Sequence, residues 1–159
     1  MDPYEYKGNI RVMRQTRAEF FLEECDRRTE VISIIGKFSD RRSFPKPLPK
    51  YIKIHTFKFE DVESSRNHGM KKAQAIRMWK IIDKAFDEDK DILIHCESGM
   101  SRSAAIGVAI GKKYGVPVLF SEYSDTVIHF EKNESYARIK PNAHCLRCMK
   151  YPRPFVREW

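Results

Sequence analysis

The sequence has no apolar run near the roughly 18 residues that a membrane-spanning helix needs. It opens on Met1, Asp2, Pro3, Tyr4 and Glu5, with no apolar stretch of the kind a secretory leader carries. Cysteine is sparse: Cys25, Cys96, Cys145 and Cys148 are the four in 159 residues. That is too few for a disulfide framework, so a reducing, cytoplasmic setting is expected. Cys145 and Cys148 form one C-x2-C pair beside His144, and there is no second pair. Structural zinc takes four ligands, so no metal is expected there. Helix packing is the expected role of at least one of the two, with a redox role toward Cys96 left open. No repeat, low-complexity block or long linker interrupts the chain.

Acidic residues are also short. There are 22 Asp and Glu against 30 Lys and Arg, giving a net charge of +8 and a pI of about 9.4. A basic surface favours anionic partners, which leaves phosphoproteins, nucleotides and nucleic acid all open. With 42% hydrophobic and 33% charged residues the composition is globular, not disordered. A chain of this length can bury one core, so a single domain over 1–159 and a monomer are expected.

Three short apolar segments read as strands: "EVISIIG" at 30–36, "YIKIHTFKF" at 51–59 and "DILIHC" at 91–96. The middle one alternates, which suits a half-exposed strand. "NIRVMR" at 9–14 is a weaker fourth. Ala75, Trp79, Ile82 and Phe86 repeat at helical spacing and predict a helix over 69–88, with Lys71, Lys72, Gln74, Arg77, Lys80 and Lys84 outward. A second helix is expected from Arg102, rich in small residues and ended by Gly115 and Pro117. "SEYSDTVIHFEK" at 121–132 predicts a third, with Tyr123, Val127 and Phe130 on one face. A fourth is expected after Pro141 and Asn142. "SDRRSFPKPLPK" at 39–50 reads as a surface loop, and the tail "YPRPFVREW" at 151–159 as a segment lying against the body or fraying. Strands alternating with helices predict an α/β fold: a central, mainly parallel sheet of about four to five strands flanked by helices. Ligands of such sheets bind beyond the C-terminal strand ends.

"DILIHCESGMSRSAAIG" places a strand, a loop and a helix in a row, with Cys96 at the strand end and Arg102 at the helix start. The free N–H groups and dipole of a helix N-terminus favour an anion in the loop 97–101. Gly99 allows the loop to curl its amides inward. Arg102 offers a planar fork for two phosphate oxygens. The same field favours a thiolate over a thiol at Cys96, which points to nucleophilic catalysis through a cysteinyl-phosphate. With 14 arginines and four cysteines, Cys-x5-Arg arises by chance in about one chain in three of this composition. The surrounding residues therefore carry the specificity.

The string "HCESGMSRSA" resembles the H-C-x5-R-S signature of cysteine-dependent protein phosphatases. Its Gly-x-Ser-Arg-Ser portion is most like the small, atypical dual-specificity class. "FKFEDVES" resembles the strand and loop ending in that class's general-acid aspartate, and Asp61 stands 35 residues before Cys96. "ARIKPNAHCLRCM" resembles the Pro-Asn segment that opens its last helix. The resemblance spans roughly residues 30–150 and implies the phosphatase fold.

The resemblance implies Cys96 as nucleophile, Arg102 as phosphate fork and Asp61 as general acid and then base, with Glu60 and Glu63 as rivals. Ser103 would donate to the departing thiolate. Glu97, Ser98, Gly99, Met100 and Ser101 would hold phosphate mainly through backbone N–H groups. His95 would order the loop by hydrogen bonds. Phosphorylated proteins bearing phosphotyrosine, with phosphoserine and phosphothreonine as a further class, are the implied substrates, and no cofactor is implied. The absence of lysine inside the loop argues against phosphoinositides. A phosphatase of RNA 5′ ends, a sulfur transferase and a non-catalytic phosphate-recognition module are the alternatives. Peroxide is expected to inactivate such a thiolate.

Overall fold

The computed structural model describes residues 5–39, 44 and 47–150. A six-stranded sheet forms its centre. The strands are β1 (Ile10–Arg14), β2 (Thr29–Ile35), β3 (Ile52–Lys58), β4 (Asp91–Cys96), β5 (Pro117–Phe120) and β6 (Thr126–His129). The helices are α1 (Gln15–Glu23), α2 (Lys72–Asp87), α3 (Arg102–Tyr114) and α4 (Ala143–Lys150). Spatial order is β3-β2-β4-β1-β5-β6, parallel throughout except for β5 against β6. The expected α/β class with a mainly parallel sheet is therefore present, with six strands where four to five were expected.

Strand alternation divides the core between the two faces. Ile92, Ile94 and Cys96 of β4 join Ile32 and Ile34 of β2 in one cluster with Trp79, Phe86 and Ile106. Leu93 and Val31 face the other way, onto Ala18 and Leu22 of α1. Helices thus cover both faces, as buried parallel strands require. β3 sits at the sheet edge and is partly exposed, but its burial does not simply alternate: Ile52 and Ile54 pack on the α1 side, while Phe57 joins the cluster on the other face. The predicted stripe of α2 is buried at Ala75, Trp79, Ile82 and Phe86. Trp79 also donates its indole N–H to the Met149 carbonyl at 2.7 Å, tying α2 to α4.

The predicted helix over 121–132 is not there. Ser124 and Asp125 take φ values of 56° and 52°, which an α-helix of L-residues excludes. They turn the chain so that Thr126–His129 runs back along Pro117–Phe120. Tyr123, Val127 and Phe130 have helical spacing, but Val127 is 39% exposed and Phe130 packs from a short 3-10 turn over Phe130–Lys132. α1 and β5 were not expected either. Of the loop expected at 39–50, Ser39, Phe44 and residues 47–50 carry no strand or helix. Its remaining residues and the tail 151–159 lie outside the described residues.

α3 lies close on the sheet because its inward residues are small. A Cβ at Gly107 would meet Val12 Cγ2 at 2.5 Å, and one at Gly111 would enter the Phe130 ring. The helix ends on Gly115 at φ 62°, as its sequence predicts. Gly111→Val should lower stability by about 1–3 kcal/mol through overpacking. Urea unfolding would show this as a lower midpoint at unchanged slope; an unshifted midpoint would mean that Phe130 moves aside freely.

Candidate active site

β4 delivers Cys96 to the C-terminal edge of the sheet, and residues 97–101 turn the chain into α3. Gly99 makes that turn, with φ at +70°. A Cβ there would stand 2.4 Å from the Arg14 nitrogen, so neither the dihedral nor the space admits a side chain. The Gly99 N–H donates to Cys96 Sγ at 3.2 Å, and Ser103 Oγ lies 3.0 Å from the same sulfur. The α3 N-terminus adds partial positive charge beside it. The Cys96 sulfur, although fully buried, is therefore framed by polar groups.

Arg102 is 7% exposed, and its Nη1 donates to the Phe59 carbonyl at 2.8 Å. Among the described residues no carboxylate lies within ion-pair distance of it. Burying a charge without a counter-ion costs several kcal/mol, and an anion arriving in the site offsets that cost. The guanidinium borders an open cleft of about 510 Å³, lined also by Glu60, Asp61, Val62, Glu97 and Ser98.

Asp61 follows Phe59 by two residues and forms the wall of that cleft. Its Oδ1 accepts the Ser101 hydroxyl at 2.8 Å and the Asn142 amide at 2.7 Å. Of its rivals, Glu60 also lines the cleft, but its Oε1 accepts the Lys37 N–H at 2.8 Å. Glu63 is not among the lining residues. The structure thus brings Arg102 and Asp61 to one cleft and Cys96 against Ser103 in the first turn of α3, while the Cys96 sulfur itself lies buried and is not among the residues that line the cleft.

The loop also makes contacts beyond the backbone role expected of it. Ser101 was expected to act through its backbone, yet its hydroxyl engages Asp61. The Met100 N–H donates to Ser98 Oγ at 3.3 Å, and the Met100 carbonyl accepts the Tyr123 hydroxyl at 2.7 Å. Tyr123 in turn accepts the Lys140 N–H at 2.9 Å. Asn142 and Tyr123 were missed as site residues. The Pro-Asn step before α4 signals Asn142 as a helix start; nothing in the sequence signals Tyr123.

His95 was expected to order the loop by hydrogen bonds. In the structure it is fully buried, and neither ring nitrogen has a hydrogen-bond partner among the described residues. The ring packs edge-on to Phe44 at 5.3 Å. The reason is alternation: Cys96 points to the α3 face, so His95 points to the opposite one. Burial pushes its pKa down to about 4, with the adjoining Cys96 backbone opposing weakly.

Cys145 and Cys148 occupy packing positions on α4. Burial is the main cause that pushes both thiols up, aided at Cys145 by the neighbouring Cys148. Cys148 Sγ lies 3.4 Å from His144 Nε2, which itself meets the Met70 carbonyl at 2.8 Å. Among the described residues no group of three or more His, Cys, Asp or Glu is placed to hold a metal ion. No described helix is long and apolar enough to cross a membrane.

No family model matches the chain. No curated protein matches it in sequence either. Solved structures do match. The human tyrosine phosphatase-like serine/threonine/tyrosine-interacting protein aligns with a TM-score of 0.52 at 17% identity, over 87% of this chain and 83% of that one. Tk-PTP in its active form aligns with a TM-score of 0.45 at 15% identity, over 100% of this chain and 90% of that one. The first likeness shows that the chain has a phosphatase-like fold.

The buried His95 also makes a stability prediction. Its native pKa of about 4 lies below the ordinary 6.5, so the unfolded chain binds the extra proton between those values. Stability from this group is full above pH 6.5 and is lost as pH falls toward 4, by an amount on the order of 3 kcal/mol. His95→Gln should melt with a smaller drop between pH 7 and pH 4.5 than the wild type. An equal drop would mean that His95 does not titrate with unfolding.

Proposed function

We propose that the chain is a cysteine-dependent phosphate-monoester hydrolase acting on phosphorylated proteins, phosphotyrosine first and phosphoserine and phosphothreonine as a further class. One observation carries the reading: a buried arginine without a carboxylate partner among the described residues lines a cleft with an aspartate, and the residue after that arginine, Ser103, frames the sulfur of a buried cysteine.

The substrate phosphate sits against the Arg102 fork and the N–H groups of the loop 97–101. Cys96 attacks phosphorus as the thiolate. The S–P bond forms while the ester P–O bond breaks, and the Asp61 proton passes to the leaving oxygen, so a neutral alcohol departs. Asp61, now a carboxylate, takes a proton from water as the water oxygen bonds to phosphorus. The S–P bond breaks, its electron pair returns to sulfur, and the Ser103 hydroxyl donates to that sulfur. Three residues carry the reaction and one eases its end; no metal or organic cofactor enters it.

Glu60, Asp61 and Glu97 put three carboxylates around the cleft of a chain whose net charge is +8. That local sign disfavours a polyanion such as RNA and supports a phosphoprotein. Sulfur transfer has no use for an acid at Asp61, and a module that only recognises phosphate has no use for a nucleophile at Cys96.

Hydrolysis of an aryl phosphate without added metal tests the proposal. Cys96→Ser should abolish turnover. Arg102→Lys should lower kcat by about 10²–10³-fold, since a point charge does not replace the fork. Asp61→Ala should lose the alkaline limb of the pH–rate profile and about 10²-fold or more in rate on poor leaving groups. A folded wild type without turnover, or turnover retained by Cys96→Ser, would overturn the reading.

A further inference from the structure

The Asp61 carboxyl is exposed on a loop, and a loop alone does not aim a proton. Two other elements meet at it. Ser101 reaches it from the loop after β4, and Asn142 from the start of α4, 81 positions along the chain. Asn142 is 2% exposed, and every group of its side chain is engaged. Its Oδ1 accepts the Cys145 N–H at 2.9 Å, in the manner of a helix N-cap. That bond fixes the orientation of the amide, because an NH₂ group cannot accept a backbone N–H. Nδ2 therefore faces Asp61, with a second bond to the Val62 carbonyl at 3.1 Å. The Asn142 N–H also donates to the Ser101 carbonyl at 3.0 Å, so the two donors to Asp61 are tied to each other.

Both donors fall on the same oxygen, Oδ1. An oxygen accepting two hydrogen bonds has its lone-pair directions occupied, and a proton there would meet both donors head-on. The transferable proton then belongs on Oδ2. We infer that Asn142 is a positioning residue that, with Ser101, selects which Asp61 oxygen carries the proton and holds that oxygen toward the cleft that Asp61 shares with Arg102. The inference rests on the reading of Asp61 as general acid. It makes α4 part of the acid machinery rather than a cover for the core.

A cap-preserving variant separates this role from a structural one. In Asn142→Ser the hydroxyl still accepts from the first turn of α4 but does not reach Asp61. Asn142→Asp keeps the shape and the cap acceptor and also removes the donor. The measurement is kcat/KM over aryl phosphates whose phenols run from acidic to weakly acidic, in wild type, Asn142→Ser, Asn142→Asp, Asp61→Ala and Asn142→Ser/Asp61→Ala, each with its melting temperature. Both Asn142 variants should lose about tenfold or more on the weakly acidic phenol and less than about twofold on the most acidic one. The double variant should match Asp61→Ala, because nothing remains to be aimed. Equal losses on every phenol, or a further loss in the Asp61→Ala background, would overturn the inference and leave Asn142 a structural cap. A flat leaving-group dependence in Asp61→Ala itself would instead remove the general-acid reading, and this inference with it.

Discussion

One hydrogen bond organises the site: the Arg102 guanidinium to the Phe59 carbonyl, at 2.8 Å across 43 positions. It joins the start of α3 to the chain just beyond β3. On one side Arg102 is six residues from Cys96, and on the other Phe59 is two residues from Asp61. A buried cation held by a carbonyl is oriented but not neutralised. The cost of burying that charge persists until an anion enters the cleft. An anion entering the cleft would therefore meet a guanidinium that is already oriented.

The rest of the fold makes that bond possible. Parallel strands bring the ends of β1, β2 and β4 to one edge, with Arg14 beside Cys96 in register. The small inward face of α3 lets the helix sit close enough for its first turn to frame the sulfur. Gly99 closes the loop against the β1 backbone, where any side chain would collide. Tyr123 and Asn142 then fasten the loop from outside, one through the Met100 carbonyl and one through the Ser101 carbonyl. A loop held this way at several backbone points is pre-organised, which is what stabilisation of developing charge requires.

Elements with strong local periodicity were legible from the chain alone. β2 and β4 are rich in branched apolar residues and buried at every position, and α2 carries a full buried stripe. α1 was missed because Ala18 and Leu22 are its only buried apolar residues while Phe20 is 73% exposed, so no stripe marks it. β5 is four residues long, too short for a pattern to declare itself. The segment 121–132 misled because spacings of four and three between apolar residues also occur across a turn and a strand. Two left-handed residues, Ser124 and Asp125, decided the matter, and neither is a glycine that would advertise it.

The sequence by itself determined the parts of the site that are close together in the chain. Cys96, Gly99, Arg102 and Ser103 lie on one strand–loop–helix unit, so their spacing alone states how they can meet. What only the tertiary structure decided is everything that arrives from a distance. Asp61, Tyr123 and Asn142 come from three other connections, and their placement depends on sheet order and on how α4 packs against α2 and α3. His95 shows the same division within one residue. Its position next to Cys96 is in the sequence, but strand alternation turns its ring to the opposite face, where burial removes its charge. Local spacing fixes which groups are neighbours along the backbone; long-range packing fixes which of them share a cleft.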